Sequence, residues 1–146
     1  MAVSVDTNVL LYALNEDDPR HAVSSGLLEE LCNGHETLYL AWPVLLGFLR
    51  IASHAAIFAR PLTAAEAEDR VSALLSRPNV AAIGERDGFW EEYRATSRDA
   101  GPLGGKLVPD GHLAAILKQH GIRTLYTFDR DFRRFTFLQA REPGSN

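Results

Sequence analysis

Much of what would point to a common function is missing from this chain. Cys32 is the one cysteine, so no internal disulfide can form and a reducing compartment is expected. A lone thiol cannot build a typical structural zinc site, and the five histidines show no HExxH spacing. There is no phosphate-cradling P-loop and no GxSxG nucleophile elbow. No apolar run approaches membrane-spanning length, and no positively charged start precedes Asp6, so a cytoplasmic protein is expected. Positive charge is scarce as well. Fifteen Lys and Arg against nineteen Asp and Glu leave a net charge of −4, which excludes nucleic-acid binding through a global basic field. Any attraction for phosphate must be local, from an arginine cluster or a bound cation.

What is present is ordinary globular material. At 146 residues, with 46% hydrophobic and 23% charged, the chain has the size of one domain with a real core, spanning 1–146, with 142–146 expected to fray. Ala2 to Val5 reads as a short buried strand ending in Asp6, and the run Val9 to Leu14 suits a helix. A helix is expected from Pro19 to Leu31, stopped by Asn33-Gly34, and a strand from Thr37 to Trp42. Pro43 opens an apolar helix, PVLLGFLRIAS, that is either buried or shared with a second subunit. Thr63 and Glu66 form a capping box for a helix from Ala64 to Ser76. Val80 to Ile83 is a small strand. Asp87-Gly88 leads into a helix whose aromatic stripe, Phe89, Trp90 and Tyr93, reads as core rather than as a base-stacking platform. Phe135 to Leu138 is expected as a last edge strand. Strands separated by helical segments predict a three-layer α/β/α fold with a mainly parallel central sheet.

The most informative stretch runs from Lys106 to Phe132. Asp110 stands beside Pro109 at the start of an apolar helix that His120-Gly121 closes, and a β-type run from Ile122 to Phe128 delivers Asp129 and Asp131 just past its end. Each acid alone has a structural explanation. Asp6 and Asp110 suit helix starts, and Asp129 and Asp131 suit a polar turn. In a parallel sheet, however, the carboxyl ends of strands and the starts of crossover helices share one edge. That brings Asp6, Asp110 and Asp129 together. Converging carboxylates repel unless a cation joins them, and oxygen ligands of this kind suit Mg²⁺ or Mn²⁺. An aspartyl-nucleophile phosphohydrolase would want an acid where Asn8 stands, and a receiver-type domain would want an acidic pair near the first strand. The arginines crowding the last quarter (Arg123, Arg130, Arg133, Arg134, Arg141) fit a solvated face or a phosphate-facing one.

On four segments the chain resembles the PIN-domain ribonucleases, and within them the VapC-type toxins of toxin–antitoxin pairs. These are Asp6-Thr7-Asn8-Val9-Leu10-Leu11-Tyr12, Phe48-Leu49-Arg50, Leu107-Val108-Pro109-Asp110 with Leu113-Ala114-Ala115, and Thr127-Phe128-Asp129-Arg130-Asp131-Phe132. The resemblance implies an acidic pocket holding Mg²⁺ or Mn²⁺, endonucleolytic cleavage of RNA, a homodimer and inhibition by a cognate antitoxin protein. It carries metal ligation onto Asp6, Asp110 and Asp129. Asp131 becomes a supporting acid, Asn8 and Thr127 orienting groups, and Arg130 or its neighbours phosphate contacts. The family usually has a glutamate three residues before the arginine of the FLR segment, and here Gly47 stands there. That departure leaves a second expectation open: a weakened PIN-like module that binds antitoxin or RNA without cleaving.

Overall fold

The computed structural model describes residues 2–55 and 58–145. Its centre is a sheet in the order β3-β2-β1-β4-β5, with β1 at Val3–Val5, β2 at Leu38–Ala41, β3 at Val80–Ile83, β4 at Thr124–Tyr126 and β5 at Gln139–Arg141. Every pairing is parallel, in register Val3 with Leu38 and with Thr124, Leu38 with Val80, and Thr124 with Gln139. The helices are α1 Thr7–Leu14, α2 His21–Asn33, α3 Trp42–Ala52, α4 Ala64–Leu75, α5 Phe89–Asp99 and α6 Val108–Gln119.

Local chemistry sets the boundaries. Asp6 caps α1 and the Thr63–Glu66 capping box starts α4. Pro43 and Pro109 lie in the first turns of α3 and α6, where a missing N–H costs nothing. Gly121 follows α6 with φ at 69°, a left-handed position that favours glycine and lets the chain turn into β4. β1 is buried at all three positions, as a central strand covered on both faces must be, and Ser4 is accommodated there by donating its hydroxyl hydrogen to Tyr39 O at 2.6 Å. Leu38, Leu40, Leu45, Ile116, Leu117 and Leu125 are fully buried around it, each contributing roughly 1.5–3 kcal/mol.

Several expectations need correction. The final strand is not Phe135 to Leu138. Phe135 is buried against Phe132 with ring centroids 5.8 Å apart, so these apolar residues close the core through a turn and β5 begins at Gln139. β5 is instead polar, as an edge strand usually is. The aromatic stripe of α5 is not all core, because Trp90 is 63% exposed. The apolar α3, expected to be buried or shared with a second subunit, needs no such correction: it buries Val44, Leu45, Phe48 and Ala52 and exposes Trp42 and Leu46. Residues 142–145 form a turn in which Pro143 is buried and Ser145 bonds back to Glu142 O, while residue 146, the end of the 142–146 tail expected to fray, lies outside the described residues.

The strand order decides where a site forms. From β1 the chain moves outward one way through β2 and β3, then returns to lay β4 and β5 on the other side. Neighbouring connections therefore diverge between β1 and β4, leaving a crevice at the carboxyl ends of those strands.

Candidate metal centre

Asp6 is the residue immediately after β1, and Asp129 lies three residues after β4. Asp110 sits in the first turn of α6, and Asp131 in the short 3-10 helix Arg130–Arg134 that Asp129 caps. The crevice gathers all of these. Asp110, Asp129 and Asp131 each place a carboxylate oxygen within 4.8 Å of the others. The tightest trio thus includes Asp131, which sequence reasoning had treated as secondary. Asp6 is deeper, beside the trio, and close enough for its charge to act on Asp110 and for that of Asp129 to act on it.

A web of hydrogen bonds fixes Asp6. Its Oδ1 accepts from Thr7 N at 2.7 Å, and its Oδ2 accepts from the Thr127 hydroxyl at 2.8 Å and from Asn8 Nδ2 at 3.3 Å. Asn8 Oδ1 in turn accepts from Phe128 N, and Thr127 Oγ1 accepts from Asp129 N at 3.0 Å. Asp129 Oδ1 accepts from Asp131 N at 2.9 Å, an Asx turn that sets the two carboxylates side by side. Asn8 and Thr127 therefore join the loop after β1 to the loop after β4. No comparable bond restrains the Asp110 side chain among the described residues.

The electrostatics are those of crowded anions. Burial pushes the Asp6 carboxyl above its ordinary value, against the pull of the Thr127 and Thr7 hydrogen bonds, and Asp129 adds to the rise. Asp110 is pushed up to about 6, first by burial and then by Asp129, Asp6 and Asp131; Arg134 pulls the other way. Arg134 also donates its Nε–H to Asp131 O at 3.2 Å. Arg130, singled out from the sequence, is exposed. The guanidinium that acts on the acids is Arg134, and only its position in the 3-10 turn reveals that.

Gly47 has a clear surrounding. A side-chain carbon placed there would stand 3.1 Å from Thr7 Oγ1, whose hydroxyl donates to Val44 O at 3.2 Å. Thr7 therefore occupies the space that a residue at position 47 would enter, one residue away from Asp6.

Hard carboxylate oxygens, mutual repulsion and an outlet to solvent match a small divalent cation, and no soft sulfur or imidazole ligand belongs to the trio. The PIN domain family model matches residues 3–138. Ribonuclease VapC48 of Mycobacterium tuberculosis is 39% identical over 145 residues, 99% of both chains. VapC20 of Mycobacterium tuberculosis, a sarcin–ricin-loop-cleaving toxin, has a similar structure at TM-score 0.69 and 18% identity, over 95% of this chain and 98% of the other. VapBC2 of Rickettsia felis, solved bound to a promoter DNA fragment, matches at TM-score 0.68 and 19% identity, over 97% and 98%. At those identities the two solved structures speak for the fold.

Proposed function

This chain belongs to the PIN-domain family, and on that premise we propose that it is a divalent-metal-dependent endoribonuclease, the toxin of a type II toxin–antitoxin pair. The observation that carries this reading is the convergence of Asp110, Asp129 and Asp131 at the crevice beside Asp6. Ribonuclease VapC48 supplies the substrate class, RNA. Asp6, Asp110 and Asp129 would hold Mg²⁺ or Mn²⁺, directly or through water, with Asp131 as a further oxygen donor. When bound, such a cation supplies positive charge at the scissile phosphate and a water of lowered pKa. The chain's own residues do the positioning. Thr127, Asn8 and Thr7 N hold Asp6 in one rotamer, Asp131 N holds Asp129, and Arg134 places a fixed guanidinium beside the cluster, with Arg130 exposed at its margin for a more distant phosphate.

Incubation of purified protein with structured RNAs in Mn²⁺ or in EDTA tests the assignment; cleavage that survives EDTA is incompatible with it. Proton competition makes a second expectation. Asp110 titrates at about 6 without a cation, so cleavage should fall as pH drops through that region. A tenfold increase in Mn²⁺ should move this acid limb to lower pH, because cation and proton compete for one carboxylate. A limb unmoved by Mn²⁺ would mean that Asp110 is not a ligand.

We read the site as taking one ion. Position 47 offers no ligand and Thr7 fills the space beside it. Gly47→Glu, whose side chain would press on Thr7 Oγ1, should therefore leave Mn²⁺ stoichiometry at one per chain, as an ion titration would show. New cleavage and a second ion in that variant would favour the weakened-module alternative.

The partners follow from the same reading. The exposed Trp42 and Leu46, one turn apart on α3, suit a homodimer surface. A cognate antitoxin is the second partner. A groove of about 320 Å³ lined by Leu10, Leu14, Leu28, Phe48 and Leu74, with Arg70 and Arg77 among its walls, is large enough to receive apolar side chains of such a protein. No helix among the described residues is long and apolar enough to cross a membrane, and we place the protein in the cytoplasm with its RNA substrate.

A further inference from the structure

We propose that the 3-10 turn Arg130–Arg134 grips two neighbouring phosphates of one RNA strand, Arg134 the phosphate in the acidic crevice and the Arg130–Arg133 pair the next along the chain. The inference rests on the ribonuclease reading above and deepens it by giving the strand its path out of the crevice.

A 3-10 helix has three residues per turn, so side chains at i and i+3 lie one above the other. Burial over 130–135 repeats with that period. Arg130 and Arg133 are exposed, Asp131 and Arg134 half-buried, Phe132 and Phe135 buried. The turn therefore has three rows. The phenylalanines anchor it in the core, their ring centroids 5.8 Å apart. The second row faces the acids, since Asp131 belongs to the carboxylate trio and Arg134 acts on Asp110. The third row is joined to the crevice through Asp129, which belongs to the trio and also lines a notch with Thr127, Phe128, Arg130, Arg133 and Glu142.

Charge selects what these rows receive. Asp6, Asp110, Asp129 and Asp131 together outweigh one divalent ion, so even the loaded crevice repels a phosphodiester unless further cations stand beside it. Arg134 is such a cation, and it is not spent. Its Nε–H donated to the Asp131 carbonyl fixes the guanidinium, which forms no ion pair with a described carboxylate. The side chains of Arg130 and Arg133 likewise have no ion-pair or hydrogen-bond partner among the described residues. Guanidinium forks match the oxygens of a phosphate. The notch, about 20 Å³, has room for one water-sized group, which suits a phosphate oxygen and excludes a base. Contacts of this kind position a strand without reading its sequence.

Binding is read with the Asp110→Asn protein, so that RNA is held without being cut, from the anisotropy of a labelled single-stranded RNA over a series of salt concentrations. The slope of log affinity against log salt should flatten by about 0.7 in Arg130→Gln/Arg133→Gln, and by about 0.7 again when Arg134→Gln is added. Glu142→Gln, which removes the acid sharing the notch, should tighten binding. In the cleaving protein with Mn²⁺, Arg134→Gln should lower kcat about a hundredfold without raising the Mn²⁺ needed for half-maximal thermal stabilisation. Arg134→Lys, which keeps the charge but loses the fork, should recover part of that kcat, whereas loss of the outer pair should fall on KM. An unchanged salt slope in Arg130→Gln/Arg133→Gln overturns the inference. So does a Mn²⁺ requirement that rises with Arg134→Gln, because Arg134 would then be building the ion site. Displacement of the RNA by polyglutamate of equal charge would also overturn it, since an acidic protein segment would fit the rows as well. Flattened slopes without any Mn²⁺-dependent cleavage by the Asp110-containing protein would overturn the ribonuclease reading and leave an RNA-gripping turn standing. Mn²⁺-dependent cleavage with unchanged slopes would do the reverse.

Discussion

Asp110→Asn should lose RNA cleavage by about a thousandfold or more and, in EDTA at neutral pH, melt at a higher temperature than wild type. The first half follows from the chemistry of the crevice. Placing a divalent cation at a phosphate is worth several kcal/mol of transition-state stabilisation, and each 1.36 kcal/mol is tenfold in rate. The second half follows from the crowding of anions. Asp110 is pushed up to about 6 by burial and by Asp129, Asp6 and Asp131, so without a cation its ionised form opposes folding. The sign is fixed by linkage. A raised carboxyl pKa gives stability that is complete below the ordinary value of 3.8 and lost as pH rises through about 6. The excess melting temperature of Asp110→Asn should therefore be largest above about pH 7 and shrink toward about pH 4. Asparagine is nearly isosteric, and Asp110 makes no side-chain hydrogen bond to another described residue, so little else changes. A variant that loses activity and also melts lower in EDTA at neutral pH would show that Asp110 is structural.

Wild type should gain thermal stability from Mn²⁺, and Asp110→Asn should gain almost none. An ion at a hundred times its dissociation constant stabilises the folded state by about 2.7 kcal/mol. For a domain of this length that corresponds to about 8 °C. The gain should be larger at neutral pH than near about pH 5, where protons already relieve the repulsion at Asp110. Ca²⁺, which takes more ligands at longer distances, should stabilise less than Mn²⁺ if the crevice is shaped for a small ion. Equal stabilisation of wild type and Asp110→Asn would place the ion elsewhere on this acidic protein.

A good part of this site was legible from residue order alone, for a physical reason. A parallel sheet puts every strand's carboxyl end on one edge, so an acid after β1, an acid after β4 and an acid at the start of α6 share that edge, and the placing of β4 beside β1 is what brings them to one crevice. What escaped was whatever depends on short-range turn geometry or on side chains meeting from distant segments. Asp131 entered the tightest trio through an Asx turn with Asp129, and no periodicity announces that. Arg134 reached the acids through the twist of a 3-10 helix, whereas Arg130, closer in sequence to Asp129, points to solvent. Phe135 to Leu138 had the composition of a strand, but packing of Phe135 on Phe132 overrode propensity and moved the ladder to Gln139. Trp90 shared the helical spacing of core residues and yet faces out, because Tyr93 rather than Trp90 reaches Gly111. Hydrophobic spacing marks which residues can be buried; it does not say which one the packing leaves outside.

The most direct measurement is the anomalous scattering of Mn²⁺ in crystals of the wild-type protein. One strong peak per chain should lie within ligand distance, about 2.2 Å or one intervening water, of the Asp110 and Asp129 carboxylates, with Asp6 and Asp131 around it. The same soak of Asp110→Asn should show that peak weakened or gone. A Mn²⁺ peak away from these carboxylates, or none at saturating ion, would contradict the account at its centre.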